Sequence, residues 1–416
     1  MKISLAKGKM IGGVVLFQLT SFLITFGTSI IVIRELSKKD FSIFTICFQI
    51  LGMIAVLTSS GITPTFKRLS GAFWDKINFF SPIVTSLLYL RNKLLVILVP
   101  VTLIIAAVLI LQQTGFTYHV FIWVILLGVL MILEVRRSMY IEILRSQMQI
   151  NQVQISENLL NICKLCFGLI IFLIDDVGLL LTAYIMASGV ALLYTRGRAL
   201  KHYNPSIKHR LLYTNLMYNK YKELLPNSIY YILQSQLILF LLVFFQNADG
   251  VADYGAIGKI SIVFNVFNVI ILNVFATEFS RSREIHKLRK NYLYIIILTV
   301  ITCIVLYGLI YLMQSLILDI FGEKYQGLEG LLLILTATSC ITFLFSTIGM
   351  LNNAKAWVTY NSKFAIPFSI AAIVLGVYIL DFSKIYDIVI FSIFPVVSTG
   401  LLKIVDSLKG LKILKL

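Results

Sequence analysis

The feature that most constrains this chain is its series of long apolar runs, separated by short segments that carry nearly all of its charge. An apolar run of about 20 residues can cross a bilayer as a helix. Twelve runs are predicted spans: 11–33, 41–63, 94–111, 119–135, 158–174, 177–194, 224–246, 254–275, 291–313, 328–350, 364–380 and 385–405. The sequence therefore predicts an all-α polytopic membrane protein with about 12 transmembrane helices.

The composition agrees with this prediction. Hydrophobic residues make up 59% and charged residues 13% of the chain, and the mean hydropathy is +0.92, whereas a soluble domain carries about 25% charged residues. A net charge of +17 would suit a nucleic-acid-binding protein, but such a surface forms a face of a soluble fold. Here the cations are spread between apolar runs, so we expect no nucleic-acid partner.

The distribution of lysine and arginine predicts the orientation in the membrane. With a cytoplasmic N-terminus, 29 of the 36 Lys and Arg residues fall in cytoplasmic segments, when Lys403 at the end of the last span is counted with the C-terminal tail. Two others, Lys164 and Lys259, fall inside spans. The outside loops carry the other five: Arg34, Lys38, Lys39, Lys324 and Lys384. Because cytoplasmic loops are enriched in these residues, both termini are predicted to be cytoplasmic. The outside loops are too short to hold a catalytic domain.

The chain also contains a weak internal repeat. A shift of 213 residues aligns Asp40 with Asp253 and Arg68 with Arg281, so the spacing of 28 residues recurs. Six spans per half give both copies the same orientation, which places the axis relating them along the membrane normal. Two such halves are typical of a transporter that rocks one half against the other. A static scaffold or a channel is the alternative.

The repeat and the charge pattern predict the domain organisation. We expect two pseudo-twofold-related six-helix bundles, 1–205 and 206–416, joined by a basic cytoplasmic linker around 195–223. The segment 134–157 is expected to be a helical extension on the membrane surface, and the C-terminal tail from Lys403 an interfacial helix.

Enzyme signatures are missing from the sequence. It contains no Walker A, HExxH, GxSxG or Asp-rich metal motif, and its four histidines are scattered. Cys163 and Cys166 form a CxxC inside a predicted span, where two small apolar side chains on one helix face are expected rather than a metal site. We therefore expect no enzyme activity, no catalytic residue, no cofactor and no metal.

Cations in or beside the spans are the candidate substrate-binding residues. Arg68 and Arg281 end equivalent spans and would face each other in a pseudo-twofold bundle, with Lys259 higher on the same span as Arg281. Lys164 lies inside span five and Arg34 ends span one. A lysine in the bilayer usually faces protein or water, although it can also snorkel to the interface. Because guanidinium groups match phosphate bidentately, a pyrophosphate or an acidic sugar is the expected ligand.

Short motifs along the whole chain carry a resemblance to a known family. They are 34–41 (RELSKKDF) with Gly61 and Arg68, 253–256 (DYGA), 320–325 (IFGEKY) and 352–355 (NNAK). Together they resemble the polysaccharide and O-antigen flippases, the Wzx-type transporters of the multidrug/oligosaccharidyl-lipid/polysaccharide exporter superfamily. The chain departs from that family's pattern in several places: Ser42 replaces a usual Gly, Ala276 and Thr277 a common Pro, and Gln234 and Gln236 a frequent acid.

The resemblance implies a function in polysaccharide and lipopolysaccharide biosynthesis. The expected protein translocates an undecaprenyl-pyrophosphate-linked oligosaccharide, an O-antigen or capsule repeat unit, across the bacterial inner membrane by alternating access. Its expected partners are this lipid-linked oligosaccharide, membrane lipids and the polysaccharide polymerase machinery.

Two other functions are kept as alternatives. A drug or metabolite antiporter of the same superfamily is expected to bury acids, yet every Asp and Glu falls at or beyond a predicted span end. A membrane polysaccharide polymerase or ligase is expected to carry a large outside loop with catalytic cations, and the predicted outside loops are short.

Overall fold

The computed structural model describes residues 5–172, 176–271, 275, 279, 284–355 and 357–413. Within these residues the regular structure is entirely helical. Ten helices are long and apolar enough to cross a membrane by length and composition. The predicted all-α fold is confirmed, and the ten helices match ten of the predicted spans. The remaining two are 11–33, which falls on the first helix, and 254–275, which falls on the short helices Ala248–Gly258 and Ile262–Ile270, with 272–274 outside the described residues.

The chain divides into two compact units, Met1–Gln236 and Leu237–Leu416, and the division falls inside a helix. The first unit contains α1 (Leu5–Glu35), α2 (Lys38–Ser59), α3 (Ile62–Phe73), α4 (Ile77–Thr114), α5 (Tyr118–Ser146), α6 (Ile150–Gly168), α7 (Val177–Ala199) and most of α8 (Leu211–Phe245). The described helices of the second unit are α9 (Ala248–Gly258), α10 (Ile262–Ile270), α11 (Ile285–Leu312), α12 (Gln314–Phe321), α13 (Glu329–Lys355), α14 (Thr359–Ile379), α15 (Ile385–Phe391) and α16 (Ile393–Ile413).

Two helices of the first unit begin at polar caps that are readable in the sequence. The Ser37 hydroxyl accepts a hydrogen bond from the Asp40 backbone N–H at 3.1 Å and donates one to the Asp40 carboxylate at 2.6 Å. The Asp176 carboxylate accepts the Leu179 N–H at 2.9 Å at the start of α7. Such caps satisfy backbone donors that the first helical turn leaves without partners.

The core of the first unit joins α3, α4, α5 and the N-terminal part of α8. Its buried apolar side chains are Ile62, Phe66, Phe80, Ile83, Leu87, Ile143, Leu144, Tyr213, Met217 and Tyr221, among others. α3 carries its apolar residues on one face and its cations on the other, so burying that face is favourable by the hydrophobic effect. This packing holds the beginning of α8 against the end of α2.

The segment of the predicted basic linker, around 195–223, contains the end of α7, the beginning of α8 and a short connection between them. α7 ends at Ala199 and α8 begins at Leu211, so the non-helical connection is limited to 200–210. Asn204 and Arg210 donate their backbone N–H groups to the hydroxyls of Ser81 and Ser86 on α4, at 2.9 and 3.2 Å. The connection is therefore fastened to α4 rather than solvated along its length.

The segment 134–157 is largely helical as expected, but the expectation that it lies on the membrane surface is wrong. α5 continues to Ser146 and α6 starts at Ile150, so the segment consists of the ends of two long helices. Arg137 and Glu142 are 8% and 9% exposed, which places their side chains inside the bundle. The charged residues of this segment suggest an exposed position, but in the structure other charged side chains pair with them.

The predicted interfacial tail belongs instead to the packed helix α16. Asp406 is 3% exposed, and its two carboxylate oxygens accept the backbone N–H groups of Tyr360 and Asn361 at 2.8 and 2.9 Å. These donors lie in the first turn of α14, where an acid also complements the helix dipole. Asp406 therefore fastens α16 to the start of α14.

Asp406→Ala should lower the stability of the second unit. Both backbone donors would lose a charged acceptor in a buried place, and a hydrogen bond to a charged group contributes about 1.5–3 kcal/mol. We expect a lower melting temperature of the purified protein in detergent. Asp381→Ala is the control, because Asp381 lies in an exposed loop and accepts hydrogen bonds there from Ser383. Equal melting temperatures for the two variants would contradict this role of Asp406.

Candidate functional site

A buried charge cluster lies between α5, α6 and α7 in the first unit. The Glu134 carboxylate accepts hydrogen bonds from Arg137 Nε at 3.0 Å, Lys164 Nζ at 3.3 Å and Ser188 Oγ at 2.8 Å. Arg137 also donates through Nη1 to Glu157 at 3.2 Å. The exposed fractions of the Glu134, Arg137 and Lys164 side chains are 14%, 10% and 18%. Two acids and two cations therefore balance inside the bundle.

Aromatic rings complete the surroundings of Lys164. Its ammonium nitrogen lies 5.3 Å from the centre of the Tyr184 ring and 6.0 Å from that of Phe48. A cation near an aromatic face is stabilised electrostatically, and more so where water is excluded. Lys164 is thus held by an ion pair and two rings within its own unit.

A cavity of about 610 Å³ lies in the first unit where α2 ends and α3 begins. Its lining residues are Ala55, Val56, Ser59, Ser60, Gly61, Thr63, Pro64, Arg91, Ser138, Glu142 and Leu224. Four of them carry hydroxyl groups and two carry charge, and these polar groups interrupt a wall that is otherwise largely apolar. Apart from the short α3, the helices that line the cavity are candidate membrane spans.

Arg91 is the most unusual side chain of this cavity. It is 1% exposed, and its Nη2 donates to Ser138 Oγ at 2.9 Å and to Thr58 Oγ1 at 3.3 Å. Its Nε has no hydrogen-bond partner among the described residues. An unmade hydrogen bond on a buried polar group is unfavourable by about 1–3 kcal/mol, and more on a charged one.

Glu142 brings the cavity's negative charge, and two cations offset it. Its Oε2 lies 3.1 Å from Lys67 Nζ, and its Oε1 accepts a hydrogen bond from Arg145 Nη1 at 2.9 Å. Since Lys67 and Arg145 are about half exposed, they hold Glu142 from the solvent side. With Arg91 included, the charges around the cavity sum to a positive value.

The junction of α2 and α3 closes one side of the cavity against α8. Gly61 has a φ of +68°, and a Cβ on it would lie 2.6 Å from the carbonyl oxygen of Lys220. The adjacent Ser60 hydroxyl hydrogen-bonds that of Ser228. A residue without a side chain is required here, both for the left-handed backbone and for the close approach of α8.

A smaller cavity of about 210 Å³ lies in the second unit, where α13 ends. Lys403 and Asn361 line it, together with Asn352, which is 1% exposed. Asn352 donates to the Lys403 carbonyl at 2.7 Å and accepts from Ser407 at 2.7 Å. These bonds give Asn352 a structural role between α13 and α16.

The described structure contains four of the five predicted site residues, three in the first unit and one in the second. Arg34 is exposed at the end of α1, and Arg68 is exposed on α3. Lys164 is engaged with Glu134 inside the first unit, and Lys259 is partly buried at the end of α9 in the second. Arg281 lies outside the described residues. Their assignment to a substrate site stays a prediction.

Arg91 was not among the predicted site residues, because the predicted span begins at residue 94. The structure extends α4 back to Ile77, so Arg91 lies within the helix, one residue after the buried Leu90. Acids were misplaced in the same way: Glu134 and Glu142 lie inside α5 and are largely buried. The expectation that every acid falls at or beyond a span end is therefore wrong.

Of the CxxC pair, Cys163 packs inside the first unit, whereas Cys166 is exposed. Both are free thiols, and the partly buried Cys163 packs against a small cluster that contains Leu160, Ala187 and Ala191. This part of α6 is an apolar packing surface.

Comparisons with known proteins identify solved structures that share the fold of this chain. No protein-family model matches the chain, and no curated protein matches it by sequence. The inward-facing structure of a multidrug resistance MATE family transporter of the MOP superfamily matches with a TM-score of 0.70 and 14% identity, over 96% of this chain and 99% of that one. The lipid II flippase MurJ in an inward closed conformation matches with a TM-score of 0.73 and 12% identity, over 95% of this chain and 87% of that one.

A third structure agrees with these two. A mutant of the Vibrio cholerae MATE transporter VcmN matches with a TM-score of 0.60 and 14% identity, over 97% of each chain. At such low identity the similarity concerns the fold, and it extends over nearly the whole chain. This multi-pass membrane protein therefore has the fold shared by the MATE transporters and the flippase MurJ.

Proposed function

We propose that this protein is a flippase for an undecaprenyl-pyrophosphate-linked oligosaccharide, working by alternating access in the bacterial inner membrane with both termini cytoplasmic. The observation that carries the proposal is the similarity to MurJ, a lipid II flippase, over 95% of the chain. The motifs shared with O-antigen flippases support the same substrate class. The buried Arg91 supports an anionic substrate, because a cation in a low-dielectric interior favours a negative ligand.

A drug or metabolite antiporter is the second candidate. It is favoured by the similarity to MATE transporters and by Glu134, a largely buried acid in the first unit. Glu134 is already balanced by Arg137 and Lys164, which makes it less available to bind a cation. The net charge of +17 also fits an anionic substrate better than a cationic drug.

Deletion of the gene in its own host distinguishes the two functions. A flippase deletion should cause lipid-linked oligosaccharide to accumulate in the inner leaflet, with loss of surface polysaccharide and unchanged drug susceptibility. The measurement is mass spectrometry of lipid-linked intermediates, together with the surface polysaccharide profile. Increased drug sensitivity with normal polysaccharide would indicate the antiporter instead.

The predicted substrate cations have their own test. Arg68→Gln, Lys259→Gln and Arg281→Gln should each weaken substrate binding about ten- to hundred-fold, since each removes a hydrogen bond to charged oxygens. Surface polysaccharide should decrease while the amount of protein in the membrane stays normal. Lys201→Gln is the control, because Lys201 is exposed in the connection between α7 and α8. Equal polysaccharide in all four variants would remove these three residues from the site.

A further inference from the structure

We propose that the cavity around Arg91 binds a phosphate-bearing headgroup within the first unit. The cavity has a volume of about 610 Å³, within the usual range for small-molecule sites. It is lined by residues of five helices, α2, α3, α4, α5 and α8, so it is a product of the tertiary fold.

The first argument is the incomplete coordination of Arg91. It is 99% buried, makes no ion pair within 4 Å of any described carboxylate and keeps Nε without a hydrogen-bond partner. Glu142 acts on it electrostatically without a direct hydrogen bond. A guanidinium group carries five N–H donors, and the two hydroxyls that it contacts bring no negative charge. A buried cation in this state is strongly stabilised by an anionic acceptor.

The second argument is the set of other groups that surround the cavity. Thr63 Oγ1 is buried without a hydrogen-bond partner in the described part of the chain, and the hydroxyls of Ser59 and Ser60 also line the cavity. Hydroxyl groups can donate to phosphate oxygens. The only carboxylate among the lining residues, Glu142, is offset by its own two cations.

The position of Thr63 adds a favourable backbone contribution. It is the second residue of α3, and the positive end of a helix dipole favours negative charge. In this turn the Ile62 N–H already donates to the Ser60 carbonyl and Pro64 has no N–H, so the contribution is that of the dipole. A phosphate bound here would meet the positive end of α3 and the guanidinium group together. Neither feature alone defines a site, but the cavity contains both.

Two sources of this chemistry exist in a membrane. One is the pyrophosphate of the lipid-linked substrate, which deepens the proposed function and rests on it. The other is the headgroup of an anionic phospholipid, which needs no transport activity. Both would present phosphate oxygens to the same donors.

Binding to the purified full-length protein in detergent tests the inference. The probes are undecaprenyl pyrophosphate, phosphatidylglycerol and, as a control lipid without a phosphate group, diacylglycerol, and the readout is native mass spectrometry with titration. Arg91→Gln should weaken binding of the phosphate probe about ten- to hundred-fold. Lys93→Gln, an exposed neighbour on the same helix, should leave binding unchanged.

A second variant guards against misfolding of Arg91→Gln. Thr63→Glu places an acid in the first turn of α3, where it favours the helix, but directs negative charge into the cavity. It should weaken phosphate binding about tenfold or more, because like charges in contact are strongly unfavourable. Thr63→Gln has the same size without the charge and should bind more tightly than Thr63→Glu.

The outcomes separate this inference from the proposed function. Arg91-dependent binding of undecaprenyl pyrophosphate, or of phosphatidylglycerol, supports the site and names its source. The inference is overturned if Arg91→Gln and Thr63→Glu bind both anionic lipids with unchanged affinity. If deletion of the gene does not affect polysaccharide while Arg91-dependent phosphatidylglycerol binding persists, the flippase proposal fails and the site stands.

Discussion

Glu134→Gln should destabilise the folded protein by about 3–5 kcal/mol, since it breaks a buried ion cluster by removing one partner. Arg137 and Lys164, both largely buried, would then share a single acid, Glu157, which contacts Arg137. The measurement is the melting temperature of the purified protein in detergent, together with the yield of monodisperse protein. Removing a charge from the surface should do much less.

The matched control is Glu223→Gln, which also removes one acid from a lysine pair. Lys220 Nζ lies 2.6 Å from Glu223 Oε1 on α8, but the two side chains are 45% and 62% exposed. Exposed pairs contribute about 0–1 kcal/mol, so this variant should melt close to the unchanged protein. Equal losses for Glu134→Gln and Glu223→Gln would show that burial does not set the strength of the cluster.

A double variant sharpens the test. Glu134→Gln with Lys164→Gln removes one charge of each sign and restores the balance between Arg137 and Glu157. Because the single variant leaves an uncompensated buried cation, the double variant should melt at a higher temperature than Glu134→Gln alone. A double variant that is less stable than the single one would mean that Lys164 stabilises the fold through its rings rather than through Glu134.

Gly61→Ala should reduce stability by about 2–5 kcal/mol. A left-handed backbone is unfavourable for a residue with a Cβ by about 1–2 kcal/mol, and overpacking adds about 1–3 kcal/mol. The overpacked contact is backbone, the carbonyl of Lys220 at 2.6 Å, so no side chain can rotate away from it. We expect α8 to shift from the α2–α3 junction, with a lower melting temperature and a lower yield of folded protein.

Gly71→Ala is the matched control on the same short helix. A Cβ at Gly71 would meet nothing within 4 Å, and alanine is favoured over glycine inside a helix by about 1 kcal/mol. This variant should be as stable as the unchanged protein or slightly more stable. An equal loss of stability in Gly71→Ala and Gly61→Ala would contradict this explanation. It would show that a side chain is unfavourable at either glycine, whether or not α8 is in contact with it.

Much of the fold could be predicted from the sequence, for a physical reason that acts locally. An apolar run of sufficient length enters the bilayer wherever it lies in the chain, because transfer from water depends on the side chains of the run itself. Helix starts follow the same rule, since the cap at Ser37 needs only Asp40, three residues further on. The all-α fold and ten of the spans were predicted in this way.

The span limits were harder to predict, because hydropathy averages over a window. Arg91 and Glu142 lie outside the predicted span limits of 94–111 and 119–135, although each is buried inside a long helix. The signal was present in the apolar residues on either side of Arg91, but a single charged residue in a window lowers the mean without showing whether it faces lipid, water or protein.

The partners of the buried charges were decided by the tertiary structure alone. Glu134 meets Lys164 30 residues later and Ser188 54 residues later, and no local pattern connects such positions. The hydrophobic effect that drives the helices together is non-directional, so the sequence by itself determined which segments lie in the membrane. Which side chains then face each other was set by the packing of one helix surface into another, which depends on residues from several helices at once. For the same reason the cavity around Arg91, built from five helices, became visible only in the folded protein.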